Sequence, residues 1–287
     1  MRRYRPDIRA CINHQSPITR LDITMTGRVE HKIAIVTGAG SVGPGWGNGK
    51  ASAVLYAREG AKVFAVDIVL EAAEETRSII DQEGGACTAY QADVSDADAV
   101  CGLVDACRNT YGRIDILHNN VGILEVGGPG EISEANWDRL FDINVKSMYL
   151  TCRACLPHMV RQGSGVIVNI SSIASIRYVG YPCISYSASK GAVNQLTQNI
   201  AIQYADKGIR ANAVLPELMH TPLIERFVAS SYGGDVEEMI RQRNAQVPMK
   251  HMGDAWDVAR AALFLASDDA RKRAGVQLAV DGGITCQ

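Results

Sequence analysis

Short runs of β-branched and other apolar residues alternate along this chain with longer stretches of helical periodicity. The apolar runs predict strands at residues 32–37, 62–66, 86–91, 114–119, 165–171, 209–215 and 276–280. The periodic stretches predict helices at residues 48–59, 70–83, 96–111, 134–162, 185–207 and 256–267. Strands that alternate with helices form a parallel sheet, and nearly continuous apolar strands fit burial from both sides. The pattern therefore predicts an α/β fold with a doubly wound, mostly parallel seven-stranded sheet and helices on both faces.

No internal repeat and no proline- and serine-rich linker divides residues 25–287, which we predict to form a single domain. The 287-residue chain is 47% hydrophobic and carries 29 basic against 31 acidic residues. That composition excludes a disordered chain, and the near-neutral balance argues against a nucleic-acid-binding protein. No apolar run approaches the ~18 residues that a membrane span requires, so we expect a cytoplasmic protein with no membrane partner.

Eight cysteines are scattered along the chain, and Cys152 and Cys155 form a Cys-x-x-Cys pair. A chain of this length without a secretory apolar segment is not expected to depend on disulfides. The pair lies inside a predicted helix rather than at a strand-to-helix turn. We therefore favour buried thiols that pack as small apolar groups over redox or metal use, and no cluster has metal-ligand spacing.

Residues 1–24 differ from the rest, with five arginines against two aspartates and no strong periodicity. An arginine-rich, acid-poor leader is a feature of transit peptides. The alternative, which we favour, is a disordered or mis-started extension with Met25 as the working start.

The densest group of glycines runs from Gly38 to Gly49, between the first predicted strand and the next helix. This order fits a Rossmann-like dinucleotide site, where glycines let backbone N–H groups approach a pyrophosphate at the helix N-terminus. Asp67 ends the second strand 20 residues after Gly47, the spacing at which a carboxylate reaches the ribose 2′-hydroxyl. Because a carboxylate repels a 2′-phosphate, we predict NAD(H) over NADP(H). A flexible turn without a ligand is the alternative.

Tyr186 and Lys190 lie four residues apart at the start of a predicted helix, so both side chains project from one face. An ammonium group beside a phenol favours the phenolate and lowers the tyrosine pKa from its usual ~10. Such a tyrosine serves as an acid or base near neutral pH. Ser172, fourteen residues upstream of Tyr186, supplies a hydroxyl where a predicted strand ends. A surface pair without a function is the alternative.

Taken together, these motifs resemble those of the short-chain dehydrogenase/reductase family, in its compact single-domain branch. The resemblance covers about residues 27–283. It rests on motifs in the family's order: Thr37-Gly38 with Gly47-Asn48-Gly49, Asp93, Asn119-Asn120-Val121-Gly122, Asn144, Ser172, Tyr186 with Lys190, Pro216 to Thr221, and Val280-Asp281-Gly282-Gly283.

The resemblance implies a catalytic set of Asn144, Ser172, Tyr186 and Lys190. Tyr186 would exchange a proton with the substrate oxygen, Lys190 would lower its pKa and hold the nicotinamide ribose, and Ser172 would orient the reacting group. Asn144 would hold a water that links Lys190 to solvent, or would instead pack through a backbone hydrogen bond. The implied cofactor contacts are Gly38, Ser41, Gly47, Asn48, Asp67, Asp93, Val94, Asn120, Gly122, Tyr186, Lys190, Pro216, Met219 and Thr221; Thr221 is also suited to cap a helix.

Three departures from the family pattern affect the predicted site. Eight residues separate Gly38 from Gly47 where the family has three, so residues 42–46 form an insertion. We expect it to bulge over the cofactor with Trp46 as an apolar cover, or else into solvent without consequence. Val121 replaces the family's usual alanine. Glu217 replaces the usual glycine, where its carboxylate faces the nicotinamide and substrate or points to solvent.

The family pattern also indicates which residues would line the substrate pocket. The candidates lie between two catalytic residues or after the sixth strand: Ser172, Ala174, Tyr178, Cys183, Glu217 and Leu218. Residues 223–247 correspond to the family's substrate lid, and His220 is expected to be a loop residue rather than a base.

The activity implied by the resemblance is NAD(H)-dependent interconversion of a secondary alcohol and a ketone, with alcohol oxidation as the favoured direction. The alternatives are a 3-oxoacyl reductase-type activity, an extended epimerase or dehydratase, and a non-catalytic NAD-binding scaffold. Only about 65 residues follow Thr221, too few for the carboxyl-terminal domain of the extended enzymes. The family also implies a homotetramer, a dimer of dimers that packs through predicted helices 134–162 and 185–207.

Overall fold

The computed structural model of the chain describes residues 27–224 and 234–287. Its central feature is a seven-stranded sheet in the order β3-β2-β1-β4-β5-β6-β9, in which every neighbouring pair is parallel. The strands are β1 (Ile33–Thr37), β2 (Lys62–Asp67), β3 (Ala86–Gln91), β4 (Ile116–Asn119), β5 (Gly165–Ile170), β6 (Ile209–Pro216) and β9 (Gln277–Val280), with a separate short pair, β7 (Met219–His220) and β8 (Gly253–Asp254). The predicted doubly wound parallel sheet is confirmed.

Helices cover both faces of the sheet. They are α1 (Asn48–Arg58), α2 (Leu70–Gln82), α3 (Ala97–Tyr111), α4 (Glu134–Phe141), α5 (Ser147–Gln162), α6 (Ile184–Tyr204), α7 (Val236–Gln246) and α8 (Ala255–Ala266). Alternate residues of β1 enter opposite cores: Ala34 and Val36 pack on the side of α1 and α8, whereas Ile33 and Ile35 pack on the side of α3 and α5. Because successive side chains of a strand point to opposite faces, a strand buried on both sides must be apolar throughout.

The predicted helix at residues 134–162 is helical throughout, but it is not one α-helix. A π-helical turn, Asp142–Lys146, separates α4 from α5 and contains Asn144. Such wide turns are rare and are found most often at functional sites. Cys152 and Cys155 lie buried in α5, as predicted for packed thiols, and burial raises the pKa of Cys152 to about 12.

The strand order reverses direction at β1, which pairs with β2 on one side and with β4 on the other. In doubly wound sheets the crevice at such a switch point, beyond the carboxyl ends of the strands, is where ligands bind. Asp67, Asn119 and Pro216 are the last residues of β2, β4 and β6, so this edge gathers the predicted site.

Two expectations fall wholly or partly outside the described residues. The extension at residues 1–24, with the alternative start at Met25, lies outside them entirely. Of the predicted lid at 223–247, residues 225–233 lie outside them, and α7 forms most of the remainder. Within the described ranges, no helix has the length and apolar character needed to cross a bilayer.

Candidate active site

A cavity of about 660 Å³ opens at the carboxyl edge of the sheet, over the switch point. Its volume is within the range typical of small-molecule and cofactor sites. Sixteen of the predicted site residues line it: Gly38, Ser41, Gly47, Asn48, Asp67, Asp93, Val94, Asn120, Gly122, Ser172, Tyr186, Lys190, Pro216, Glu217, Met219 and Thr221. The structure therefore brings the two ends of the predicted site, the glycine loop and the Tyr–Lys pair, into one cavity.

The glycine loop begins at Gly38 and leads into α1 at Asn48, with Gly47 at the N-cap position. Gly47-Asn48-Gly49 therefore opens the helix, at the spacing from Asp67 that the sequence indicated. A Cβ atom on Gly49 would overlap the carbonyl oxygen of Gly38, and Gly38 itself has a φ of +64°. Asn120 fixes the same carbonyl, since its Nδ2 donates a hydrogen bond to Gly38 O over 3.0 Å.

The residues around this loop fit a dinucleotide cofactor. The backbone lies open at the N-terminus of α1, where N–H groups and the helix dipole favour a phosphate. Asn48 Oδ1 at this helix start is buried without a hydrogen-bond partner among the described residues. Asp67 reaches the cavity while accepting hydrogen bonds from Gly40 N at 2.9 Å and Val69 N at 3.1 Å, which orient its carboxylate.

The insertion at residues 42–46 does not place Trp46 over the cavity. Trp46 turns away and packs against Trp256 of α8, with ring centroids 4.7 Å apart, while Lys50 Nζ lies 5.2 Å from the Trp46 ring centroid. The expectation of a tryptophan cover is therefore wrong, because an indole ring gains more contact area against the apolar face of α8 than at a solvent-facing rim. Val42 is the residue of the insertion that lines the cavity.

Tyr186 and Lys190 project from α6 into the cavity, with Lys190 Nζ 5.6 Å from the centre of the Tyr186 ring. Lys190 is buried and donates a hydrogen bond from Nζ to Ile170 O over 2.9 Å. Ser172 follows β5, and its Oγ accepts a hydrogen bond from Ala174 N at 3.1 Å and lies 3.5 Å from Pro216 O. Tyr186 and Lys190 therefore stand on one helix, and Ser172 stands on the segment that follows β5.

Burial is the main cause of the pKa shifts of Tyr186 and Lys190. Desolvation raises the pKa of Tyr186 well above its ordinary value, and the neighbouring Ser172 hydroxyl lowers it. Desolvation lowers the pKa of Lys190 to about 8. We expected Lys190 to lower the pKa of Tyr186, but among the protein's own groups the effect of burial is larger. A buried lysine that is hydrogen-bonded to a backbone carbonyl offsets little of the cost of burying a phenolate.

Asn144 lies outside the cavity lining, behind Tyr186 and Lys190. Its Oδ1 accepts from Ile123 N at 2.8 Å, and its Nδ2 donates to Ile123 O at 2.9 Å and to Ser189 Oγ at 3.0 Å. These bonds match the packing alternative for Asn144 and tie the π-helical turn to α6. The role of Asn144 in holding a water stays a prediction.

Four of the predicted substrate-pocket residues lie elsewhere. Ala174, Tyr178 and Cys183 line a second, shallower cavity of about 370 Å³. The backbone pairs Gly127 with Cys183, which draws this segment away from Ser172. Leu218 is buried in an apolar cluster with Val247 and Met252 instead of facing the cavity. Only Ser172 and Glu217 of the predicted substrate residues line the main cavity.

Sequence reasoning missed several residues of the main cavity. They include Ile68, Val69, Arg139 and Ile143. Ile68 and Val69 follow Asp67 directly, and Ile143 precedes Asn144, so adjacency to the motifs was a usable signal. Arg139 carried no such signal, because the packing of α4 against α6 brings it to the cavity.

The chain matches the family model described as enoyl-(acyl carrier protein) reductase over residues 44–285. The 2-(R)-hydroxypropyl-CoM dehydrogenase of Xanthobacter autotrophicus is 40% identical over 259 residues, which span 88% of this chain and 98% of the relative. A crystal structure described as a short-chain dehydrogenase/reductase from Burkholderia xenovorans has a TM-score of 0.88 and 44% identity, and the match covers 91% of this chain and 99% of that one.

Another solved structure bears on the cofactor. It is described as an NAD(P)-dependent gluconate 5-dehydrogenase from Beutenbergia cavernae with NADP bound at low occupancy, and it has a TM-score of 0.80 at 32% identity over 90% of this chain and 98% of its own. The fold and the similarities define this protein as an oxidoreductase of Rossmann-like fold. The chain belongs to the short-chain dehydrogenase/reductase family, whose members use NAD or NADP.

Proposed function

We propose that the protein interconverts a secondary alcohol and a ketone with NAD(H) as its hydride carrier. The observation that supports this most directly is that Ser172, Tyr186 and Lys190 line one cavity with the glycine loop and Asp67. The dehydrogenase relatives add weight, since 2-(R)-hydroxypropyl-CoM dehydrogenase is named for oxidation of a 2-hydroxypropyl group.

A bound nicotinamide dinucleotide supplies or accepts the hydride at the reacting carbon. The protein's share of the work is to position the substrate and to move one proton. Ser172 donates a hydrogen bond to the substrate oxygen, which orients the carbon and stabilises negative charge that develops on the oxygen. Tyr186 exchanges the proton with that oxygen as the general acid or base.

The ammonium of Lys190 offsets only a small part of the cost of the Tyr186 phenolate, and a bound cationic nicotinamide ring would favour the same form. This assistance is needed because burial raises the pKa of Tyr186. The carbonyl of Ile170 holds Lys190 Nζ in the cavity wall, where it would donate a hydrogen bond to a ribose hydroxyl of the cofactor.

Asp67 supports NAD(H) over NADP(H). Its carboxylate accepts hydrogen bonds from ribose hydroxyls and repels a 2′-phosphate, whatever cofactor the Beutenbergia cavernae relative holds. Exchange with an NAD pool makes alcohol oxidation the expected direction.

The test is an absorbance assay of NAD(H)- and NADP(H)-linked turnover over secondary alcohols and ketones, with 3-oxoacyl thioesters included as the competing substrate class. Tyr186→Phe should reduce kcat/KM by about 10²–10⁴-fold while the dissociation constant of the cofactor stays within about twofold. Wild-type protein that binds the cofactor but turns over no substrate would favour the non-catalytic scaffold instead.

We also propose the homotetramer expected for the family. Tyr149 on α5 and Ile202 on α6 are large apolar side chains with 48% and 78% of their surface exposed, which suits a helix-to-helix contact between subunits. Light scattering after size exclusion should give about four chain masses, and Ile202→Lys should lower the value. A monomeric wild-type protein contradicts the proposal.

A further inference from the structure

Glu217 occupies the turn after β6. It follows Pro216, whose carbonyl oxygen lies 3.5 Å from Ser172 Oγ. Its backbone is fixed on both sides, since Glu217 N donates to Val280 O at 3.2 Å and Met219 N donates to Glu217 O at 2.8 Å. The side chain lines the same cavity as Ser172 and Tyr186. A rigid turn thus holds a carboxylate beside the groups that would orient and protonate the substrate.

This carboxylate is short of hydrogen bonds. Glu217 Oε2 is buried and accepts no hydrogen bond from any group in the described part of the chain. A buried polar atom without a partner is rare and costs free energy, so a rotation of this carboxyl group that turns the unmatched oxygen toward a donor in the cavity would be favoured. Desolvation raises the pKa of this carboxyl to about 7.

The charges around Glu217 indicate what kind of donor fits. The backbone N–H of Leu218 and then the positive charge of Arg243, a buried residue of α7, lower the pKa of Glu217, whereas Asp281 raises it. Arg243 makes no direct hydrogen bond to Glu217; its Nε faces Met252 Sδ at 3.4 Å and its Nη1 has no partner among the described residues. Asp281 already accepts hydrogen bonds from Gly283 N, Thr285 N and Thr285 Oγ1.

Arg243 does not line the cavity, so the charge that a substrate meets is the carboxylate, with the guanidinium behind it. Because Arg243 offsets part of this charge, a cationic group gains little beyond what a neutral donor gains. An anionic carboxylate has no hydrogen to donate to Glu217, and the charge that Arg243 leaves unbalanced repels it. A hydroxyl group supplies the missing donor with no charge of its own.

We propose that Glu217 is a specificity-determining residue that accepts a hydrogen bond from a second hydroxyl group of the substrate. The substrate class is then a diol, a polyol or a hydroxy ketone, in preference to a hydroxy acid or a simple alcohol. This inference rests on the proposed dehydrogenase function of the same cavity.

Substrates that share one carbon skeleton test the inference. 2-Butanol lacks a second polar group, 2,3-butanediol carries the hydroxyl, and 3-hydroxybutyrate carries a carboxylate; cyclohexanol and 1,2-cyclohexanediol repeat the first comparison in a larger ring. Above pH 8, where a carboxyl with a pKa of about 7 is ionised, wild-type kcat/KM should be at least about tenfold higher for each diol than for its matched alcohol, as expected for a hydrogen bond to a charged acceptor, and lowest for the acid.

Glu217→Gly restores the residue usual in the family and should lower the ratio of kcat/KM for 2,3-butanediol over 2-butanol by about tenfold. Glu217→Gln keeps an acceptor oxygen and should retain part of the preference. Cofactor dissociation constants equal to the wild-type value show that each variant is folded around its site.

Equal turnover of diol and matched alcohol by the wild type, or a diol preference that survives Glu217→Gly, overturns the inference and leaves the dehydrogenase proposal standing. Absence of turnover with every alcohol and ketone, with either cofactor, overturns the dehydrogenase proposal itself and this inference with it.

Discussion

The ring of Trp46 lies against the ring of Trp256, with centroids 4.7 Å apart and planes tilted by 54°. Arg58 extends this contact, since its guanidinium carbon lies 5.0 Å from the Trp256 ring centroid. The insertion in the glycine loop is therefore anchored to α8, which explains how a loop five residues longer than the family's can still present a defined backbone to a phosphate.

Removing the Trp46 ring should lower the stability of the protein more than it lowers the affinity for the cofactor. Trp46→Ala is expected to lower the free energy of unfolding by about 1–3 kcal/mol, because a half-buried indole loses its packing, while the cofactor dissociation constant changes by a smaller factor. Urea unfolding and cofactor titration measure the two effects. In a double-mutant cycle with Trp256→Ala, a coupling of about 0.5–1.5 kcal/mol is expected, and strictly additive effects would show that the rings do not stabilise each other.

Gly49→Ala should disrupt the start of α1. The added Cβ meets the carbonyl oxygen of Gly38 and, at 2.6 Å, Asn120 Nδ2, so the loop backbone must move. We expect a loss of about 1–3 kcal/mol in stability and at least tenfold weaker cofactor binding. Gly130→Ala is the matched control, since nothing lies within 4 Å of its Cβ position; a comparable effect at both sites would refute the steric explanation.

Asp67→Asn tests the basis of cofactor choice. The variant keeps an oxygen for a ribose hydroxyl but removes the negative charge that opposes a 2′-phosphate. A charge–charge term of about 1–3 kcal/mol at such a site corresponds to a ten- to hundredfold drop in the ratio of kcat/KM for NAD over NADP. Asp93→Asn, on the same cavity but at the next strand, should change both cofactors alike. A wild-type preference for NADP(H) would refute the assignment.

Glu217→Gln should stabilise the protein in a pH-dependent way. Burial raises the folded-state pKa of Glu217 from 4.5 to about 7. The folded protein therefore holds this proton where the unfolded chain has released it, and wild-type stability falls as pH rises from about 4.5 to about 7. Because Gln carries no charge, the variant should match the wild type near pH 4.5 and exceed it by about 1–2 kcal/mol at pH 8, the full shift being discounted for partial exposure.

Thermal unfolding of both proteins across this pH range measures that difference. Glu238→Gln provides the control of opposite sign, because hydrogen bonds from Arg241 and Gln242 lower the pKa of Glu238. A constant difference between wild type and Glu217→Gln from pH 4.5 to pH 8 would show that the carboxyl is not held in a desolvated environment.

Motifs that depend on backbone geometry were predictable from the sequence. Gly47 and Asp67 were placed correctly because a glycine loop and an acid at a fixed spacing have one arrangement in a doubly wound sheet. Tyr186 and Lys190 were likewise placed on one helix face, because four residues make about one helical turn.

Side chains whose direction depends on distant packing were not predictable. Trp46 was assigned to the cofactor because it lies in the loop sequence, but its partner Trp256 is 210 residues further along the chain. Cys183 lies three residues before Tyr186, yet its pairing with Gly127 directs it to another cavity. Proximity in sequence predicted proximity in space only where a regular element connected the residues.

The π-helical turn Asp142–Lys146 sets how far α5 is rotated about its axis relative to α4. It takes up about one residue more than an α-helical turn, so each position beyond it is rotated by about 100° relative to an uninterrupted helix. Side chains of α4, such as the stacked Trp137 and Phe141, are therefore rotated about the helix axis relative to side chains of α5, such as the exposed Tyr149. Deleting one residue of the turn other than Asn144 should merge these phases and turn the Asn144 amide away from Ile123 and Ser189. The orientation of Asn144 is thus fixed by the number of residues in this segment as much as by their chemical nature.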